Sequence, residues 1–144
     1  MPAPRVLFLC TANSCRSQMA EGWARHLLGD AIDAMSAGTR ATNVNRLAIH
    51  VMAEAGVDIS GHESKTLDDL APVPFDLVVT VCDDAREACP VLPGPRTVHR
   101  GFDDPPRLAA GLGSEEARLE PYRRVRDEIR AFVERELPGL LRGA

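Results

Sequence analysis

Hydrophobic positions along the chain fall into two alternating patterns. Val6-Leu7-Phe8-Leu9 and Phe75-Asp76-Leu77-Val78-Val79-Thr80-Val81 are short, nearly continuous apolar runs, as expected of parallel strands covered on both faces. Met19, Ala20, Trp23, Ala24, Leu27 and Leu28 recur at helical spacing, with Gly29 as the stop. Leu47, Ala48, Val51, Met52 and Ala55 repeat that stripe and end at Gly56. Residues 32–37, closed by a turn at Gly38, predict a weaker strand, and Thr97-Val98 a short last one. Residues 115–137 place Tyr122, Val125, Ile129, Phe132 and Val133 on one helical face. Pro121 is expected to start or kink that helix, and Pro138-Gly139 to end it. Strands alternating with helices predict one α/β domain over residues 1–144, with a parallel sheet flanked by helices on both faces. The proline-rich stretch 90–106 reads as an ordered surface loop.

Composition narrows the function classes. With 144 residues, 44% apolar and 26% charged, the chain is long enough for its own core. A formal net charge of -4 gives no support to nucleic-acid binding. No apolar run reaches membrane-spanning length, and the start lacks a signal-peptide layout, so a cytoplasmic protein is expected, without membrane or nucleic-acid partners. Four cysteines in that compartment point to catalysis or redox chemistry rather than structural disulfides. Their spacing is not that of a zinc site, and His26, His50, His62 and His99 are scattered, so no metal site is expected.

The chemistry concentrates in Cys10-Thr11-Ala12-Asn13-Ser14-Cys15-Arg16-Ser17, a Cys-x5-Arg-Ser segment between a strand and a helix. A loop wrapped into a helix start aims backbone N–H groups inward, and the helix dipole adds positive potential. Arg16 offers a planar fork matching two oxygens of a tetrahedral anion. Small residues at Thr11, Ala12 and Ser14 let the backbone approach the ligand. The same positive surroundings should favour a Cys10 thiolate, the nucleophile. Ser17 can donate a hydroxyl hydrogen bond nearby. On its own the motif serves a phosphatase and an arsenate reductase equally well. Cys15 lies within the loop without an obvious chemical step, and its expected role is structural.

The segment VLFLCTANSCRSQMAEG, residues 6–22, resembles the thioredoxin-coupled arsenate reductases, which share the low-molecular-weight protein tyrosine phosphatase fold. The likeness runs on through Ser36-Ala37-Gly38, residues 76–89, residues 101–105 and residues 124–129. It implies a four-stranded sheet with the loop at its edge. Phosphatases of this fold usually carry Pro where this chain has Gln18, and Tyr where it has Pro106. The resemblance implies that Cys10 attacks arsenate, that Cys82 attacks Cys10 as arsenite leaves, and that Cys89 then attacks Cys82. The redox-active disulfide left between Cys82 and Cys89 is reduced by thioredoxin, with no tightly bound cofactor. It makes Asp104, directly before Pro105, the acid that protonates the leaving oxygen; Asp103 is read as a solvated turn residue. Phosphate and sulfate should mimic arsenate in the loop, and a monomer is expected. If residues 82–89 are helical, about 10 Å of axial rise separates the two cysteines, too far for a disulfide, so residues 83–88 should unwind on oxidation. Some relatives bind potassium through residues matching Asn13, Glu21 and Ser36 plus a carboxylate at the position of Lys65. Lys65, the only lysine, should reach Asn13 or Glu21 with its ammonium group and support the loop without potassium. A low-molecular-weight phosphatase is the alternative activity, and a non-enzymatic arsenic-binding or redox-sensing protein a third.

Overall fold

The structure is a computed structural model that describes residues 3–70, 74–83 and 95–142. Four strands, β1 (Arg5–Cys10), β2 (Asp33–Gly38), β3 (Leu77–Thr80) and β4 (Arg96–His99), form one parallel sheet in the order β2-β1-β3-β4. Five α-helices accompany them among the described residues: α1 (Arg16–Leu28), α2 (Arg46–Glu54), α3 (Pro105–Ala109), α4 (Glu115–Arg135) and α5 (Leu137–Arg142). The single four-stranded α/β domain follows the sequence expectation.

Alternation along the strands divides the core. Val6, Phe8 and Cys10 of β1, with Leu77 and Val79 of β3, pack against Met19, Trp23, Val51, Met52, Val125, Ile129 and Phe132 from α1, α2 and α4. Leu7, Leu9, Ala37 and Val78 point the other way, onto Met35, Leu67, Leu70 and Phe75. Part of that second cover is a 3-10 turn, Asp68–Leu70. Both faces of β1 and β3 are thus buried, which is why these strands read as unbroken apolar runs.

Helix ends follow local chemistry. Asn45 caps α2, its side-chain oxygen accepting from the N–H groups of Leu47 (2.8 Å) and Ala48 (3.1 Å). Ser114 caps α4 through the N–H of Ala117 at 3.1 Å. That cap, with Glu115 and Glu116 in the first turn, starts α4 well before Pro121, which lies inside the helix rather than at its start. Pro138-Gly139 does not end the helical region either. The chain breaks at Glu136 and resumes as α5, where Pro138 sits in a first turn that needs no N–H from it. The proline-rich stretch is not all loop: β4 and the start of α3 fall within its described part.

The strand order reverses between β1 and β3. Open parallel sheets bind ligands at such a crevice, beyond the carboxyl ends of the strands. Cys10 ends β1 there. The Val81 N–H donates to Leu9 O at 3.0 Å and carries the ladder one residue past β3, delivering Cys82 to the same edge. No helix among the described residues is long and apolar enough to cross a membrane.

Candidate active site

The 10–17 loop turns off β1 and closes into α1, whose first residue is Arg16. A cavity of about 720 Å3 opens on it, lined by Cys10, Thr11, Ala12, Ser14, Cys15 and Arg16, and by Arg40, Asn45, Asp104 and Pro106 from outside the loop. The loop is held tightly from outside. Asn13 sits in the left-handed region (φ 47°), as its type tolerates. Its amide donates to Ser17 Oγ (2.9 Å), while its Oδ1 accepts from Gln18 Nε2 (2.9 Å) and from the Lys65 backbone N–H (2.7 Å). The carbonyl of Thr11 accepts from the N–H groups of Thr39 (2.9 Å) and Arg40 (3.2 Å). The carbonyl of Ala12 accepts from the hydroxyls of Thr42 and Ser64, each at 3.1 Å. These bonds tie the Thr11 and Ala12 carbonyls to Thr39, Arg40, Thr42 and Ser64 outside the loop.

Arg16 is 4% exposed. Its Nη1 donates to Phe102 O (3.1 Å), and its Nη2 lies 3.6 Å from Asp104 Oδ1. These contacts fix the guanidinium plane at the cavity floor. Asp104 is extended (φ -86°, ψ 106°), as expected before Pro105, and lines the cavity. Asp103 points away and pairs with Arg124 Nη2 at 2.9 Å, in line with its reading as a turn residue.

The cysteines separate by environment. Cys10 lines the cavity floor, and Cys15 stands beside it at the start of α1. Burial pushes the Cys15 thiol well above its usual range, against the lowering influence of Arg16; Asp104 and Cys10 push it further up. Cys15 therefore stays a neutral thiol, which suits packing rather than attack. Cys82 is fully buried, and its Sγ lies 3.9 Å from Leu9 O, the carbonyl bonded to the Cys10 nitrogen. Cys89, and all but Asp83 of the 83–88 segment expected to unwind, lie outside the described residues.

The Lys65 expectation needs correction. Its ammonium donates to Glu63 O at 3.0 Å and reaches neither Asn13 nor Glu21; only its backbone N–H touches Asn13. The side chain that takes the support role is Gln18, which residue type alone left unassigned. Fully buried, it donates through Nε2 to Asn13 O (3.2 Å), Asn13 Oδ1 (2.9 Å) and Glu63 O (2.9 Å). Its Oε1 meets His62 Nδ1 at 3.0 Å. Glu21 is buried beside this group, accepting from Ser36 Oγ (2.7 Å) and pairing with Arg25 (3.1 Å). His62 Nδ1 is also 3.6 Å from Glu21 Oε2, a pair that carries charge only if the imidazole is protonated. Burial lowers the His62 pKa more than Glu21 raises it, so the contact is read as a neutral imidazole donating to Gln18. Asn13 Oδ1 and the Glu21 carboxyl oxygens thus already meet hydrogen-bond donors and Arg25, and the residues present do not fit a potassium ion. Among the described residues, no group of three or more His, Cys, Asp or Glu is placed to hold a metal.

A model of the low molecular weight phosphotyrosine protein phosphatase family matches residues 5–142. The chain belongs to that family. Among curated relatives, it is 50% identical to an arsenate reductase of Halalkalibacterium halodurans over 125 residues, covering 86% of this chain and 88% of the relative. An arsenate reductase of Bacillus subtilis is 48% identical over 125 residues, with the same two coverages, 86% and 88%. Solved structures of similar fold include arsenate reductases. An arsenate reductase in its reduced state matches at TM-score 0.75 and 30% identity, over 95% of this chain and 98% of its own. A thioredoxin-dependent arsenate reductase of Corynebacterium glutamicum matches at TM-score 0.71 and 25% identity; 99% of this chain is covered, and the match spans only 64% of that longer chain.

Proposed function

We propose that this chain reduces arsenate to arsenite by a relay of three cysteines and is regenerated by thioredoxin. The observation that carries the reading is the buried Cys82 thiol, 3.9 Å from the carbonyl that precedes Cys10. A phosphatase needs one nucleophilic sulfur. A two-electron reduction needs a second sulfur within reach of the first.

In the proposed sequence, the Cys10 thiolate attacks arsenic held by the loop N–H groups and Arg16. An S–As bond forms and an As–O bond breaks, the oxygen leaving as water after taking a proton from Asp104. The Cys82 thiolate then attacks Cys10 Sγ. The S–As bond breaks, its electron pair stays on arsenic, and arsenite departs as a disulfide forms between Cys10 and Cys82. Cys89 attacks Cys82, freeing Cys10, and a dithiol of the thioredoxin class reduces the disulfide of Cys82 with Cys89. Two thiols supply the two electrons, so atoms and charge balance. The first exchange is supported by position: Cys10 ends β1 and Cys82 follows β3 at the same edge of the sheet. The curated relatives named arsenate reductase, and the thioredoxin dependence of the Corynebacterium structure, support the same reading.

The test is arsenate-dependent NADPH oxidation through thioredoxin reductase and thioredoxin, run in sodium or potassium salts at equal ionic strength. Wild type should turn over equally in both, and Cys82→Ser should lose turnover. Steady arsenate reduction by Cys82→Ser would contradict the relay. Phosphatase activity is the second reading, favoured by the family itself and by the loop with Asp104 above it. It predicts phosphate-ester hydrolysis that Cys82→Ser leaves intact.

A further inference from the structure

Arg40 lines the cavity two residues beyond Gly38, the ladder partner of Cys10, yet neither the loop motif nor the relay uses it. Its backbone is fixed: its N–H donates to Thr11 O at 3.2 Å, beside the Thr39 N–H and hydroxyl on the same carbonyl. Its side chain is exposed, and among the described residues no carboxylate pairs with it. Among the described residues two cationic side chains line the cavity, and the other, Arg16, is buried and already engaged with Phe102 O and Asp104. The chain as a whole carries a formal charge of -4. An incoming oxyanion of charge -1 to -2 therefore meets a net-negative molecule in which Arg40 is the exposed cation among the described lining residues.

We propose that Arg40 is a substrate-capture residue, a second cation that draws the tetrahedral oxyanion into the cavity and delivers it to Arg16 and the loop. The inference rests on the arsenate reading for its substrate, but its chemistry applies to any tetrahedral oxyanion. A dianion about 7 Å from one positive charge in water-like surroundings gains roughly five- to tenfold in occupancy before screening. Salt erodes that gain over a Debye length of about 8 Å at physiological ionic strength.

The first measurement needs no turnover: protection of Cys10 from iodoacetamide by inorganic phosphate at low ionic strength. The half-protecting phosphate concentration should rise about five- to tenfold in Arg40→Gln and further in Arg40→Glu. It should stay near wild type in Arg40→Lys, and the differences should shrink in 0.5 M salt, on the order of the condition where screening reaches a few ångströms. In the coupled assay, KM for arsenate should follow the same order while kcat stays within about twofold. The proposal is overturned if Arg40→Gln protects like wild type, or if Arg40→Lys is as impaired as Arg40→Gln. It is equally overturned if kcat falls in place of a rise in KM, or if only the KM for thioredoxin moves. Wild type that binds phosphate with the expected Arg40 dependence, but reduces no arsenate, would overturn the reductase reading and leave Arg40 in its role.

Discussion

His62 and Gln18 show how single side chains set the loop. Gln18 gives its amide hydrogens to oxygens of Asn13 and Glu63, so its Oε1 must accept, and neutral His62 can donate to it through Nδ1. Burial holds the His62 pKa below its ordinary value near 6.5. A group whose folded-state pKa is depressed favours folding above its unfolded pKa. That contribution is lost as pH falls through the folded value. The His62 C2 proton should therefore titrate below about 6.5, and His62→Gln should reduce the loss of thermal stability on acidification from about pH 6.5 to 5. A midpoint above 6.5 would show that Glu21, not burial, dominates at this site. These residues were hard to read in advance. Glutamine and histidine carry no periodic signal, and the sequence suggested a cationic prop at Lys65. The lone lysine was conspicuous by type, but its side chain leaves the loop and only its backbone stays.

Among the elements, the end of β2 limits the loop more tightly than its sequence suggests. A Cβ added at Gly38 would lie 2.5 Å from Thr11 O and 2.8 Å from Asn13 N, both backbone atoms with little room to move. Gly38→Ala should push the 11–13 backbone out of shape, lower stability by about 1–3 kcal/mol and remove phosphate protection of Cys10. Chemical denaturation with the alkylation assay checks both effects, and unchanged protection would show that the loop tolerates the displacement. The sequence marked Gly38 only as a turn, because close approach between β2 and the loop is a tertiary fact. Strand and helix identities were readable because burial on both faces and helical stripes leave direct marks in β1, β3, α1, α2 and α4. Element ends were less so. Ser114 overrode Pro121 as the start of α4, and α5 resumed across Pro138 because first turns do not need that N–H.

Across the whole molecule, the reversal of strand order between β1 and β3 places Cys10 and Cys82 at one crevice although far apart in sequence. The Cys-x5-Arg-Ser segment announced the oxyanion cradle because its chemistry is local. The rest of the lining, Arg40 and Asn45 with Pro106, carried no local signature and emerged only from the fold. A second tertiary tie links α2 to α4: Arg123 and Arg126 reach Glu54 and hold its carboxyl down to about 2. That tie persists through mild acid and is lost only as pH falls through about 2, so the site is expected to respond to acid before the helix packing does. The account as a whole stands on sulfur-to-sulfur transfer around one bound oxyanion. Its most direct measurement is mass spectrometry of reduced Cys89→Ser after one equivalent of arsenate, with arsenite counted in parallel. One arsenite released per chain, with a single disulfide joining Cys10 to Cys82, is the predicted result. Unreacted thiols, or a disulfide that omits either of those two cysteines, would contradict it.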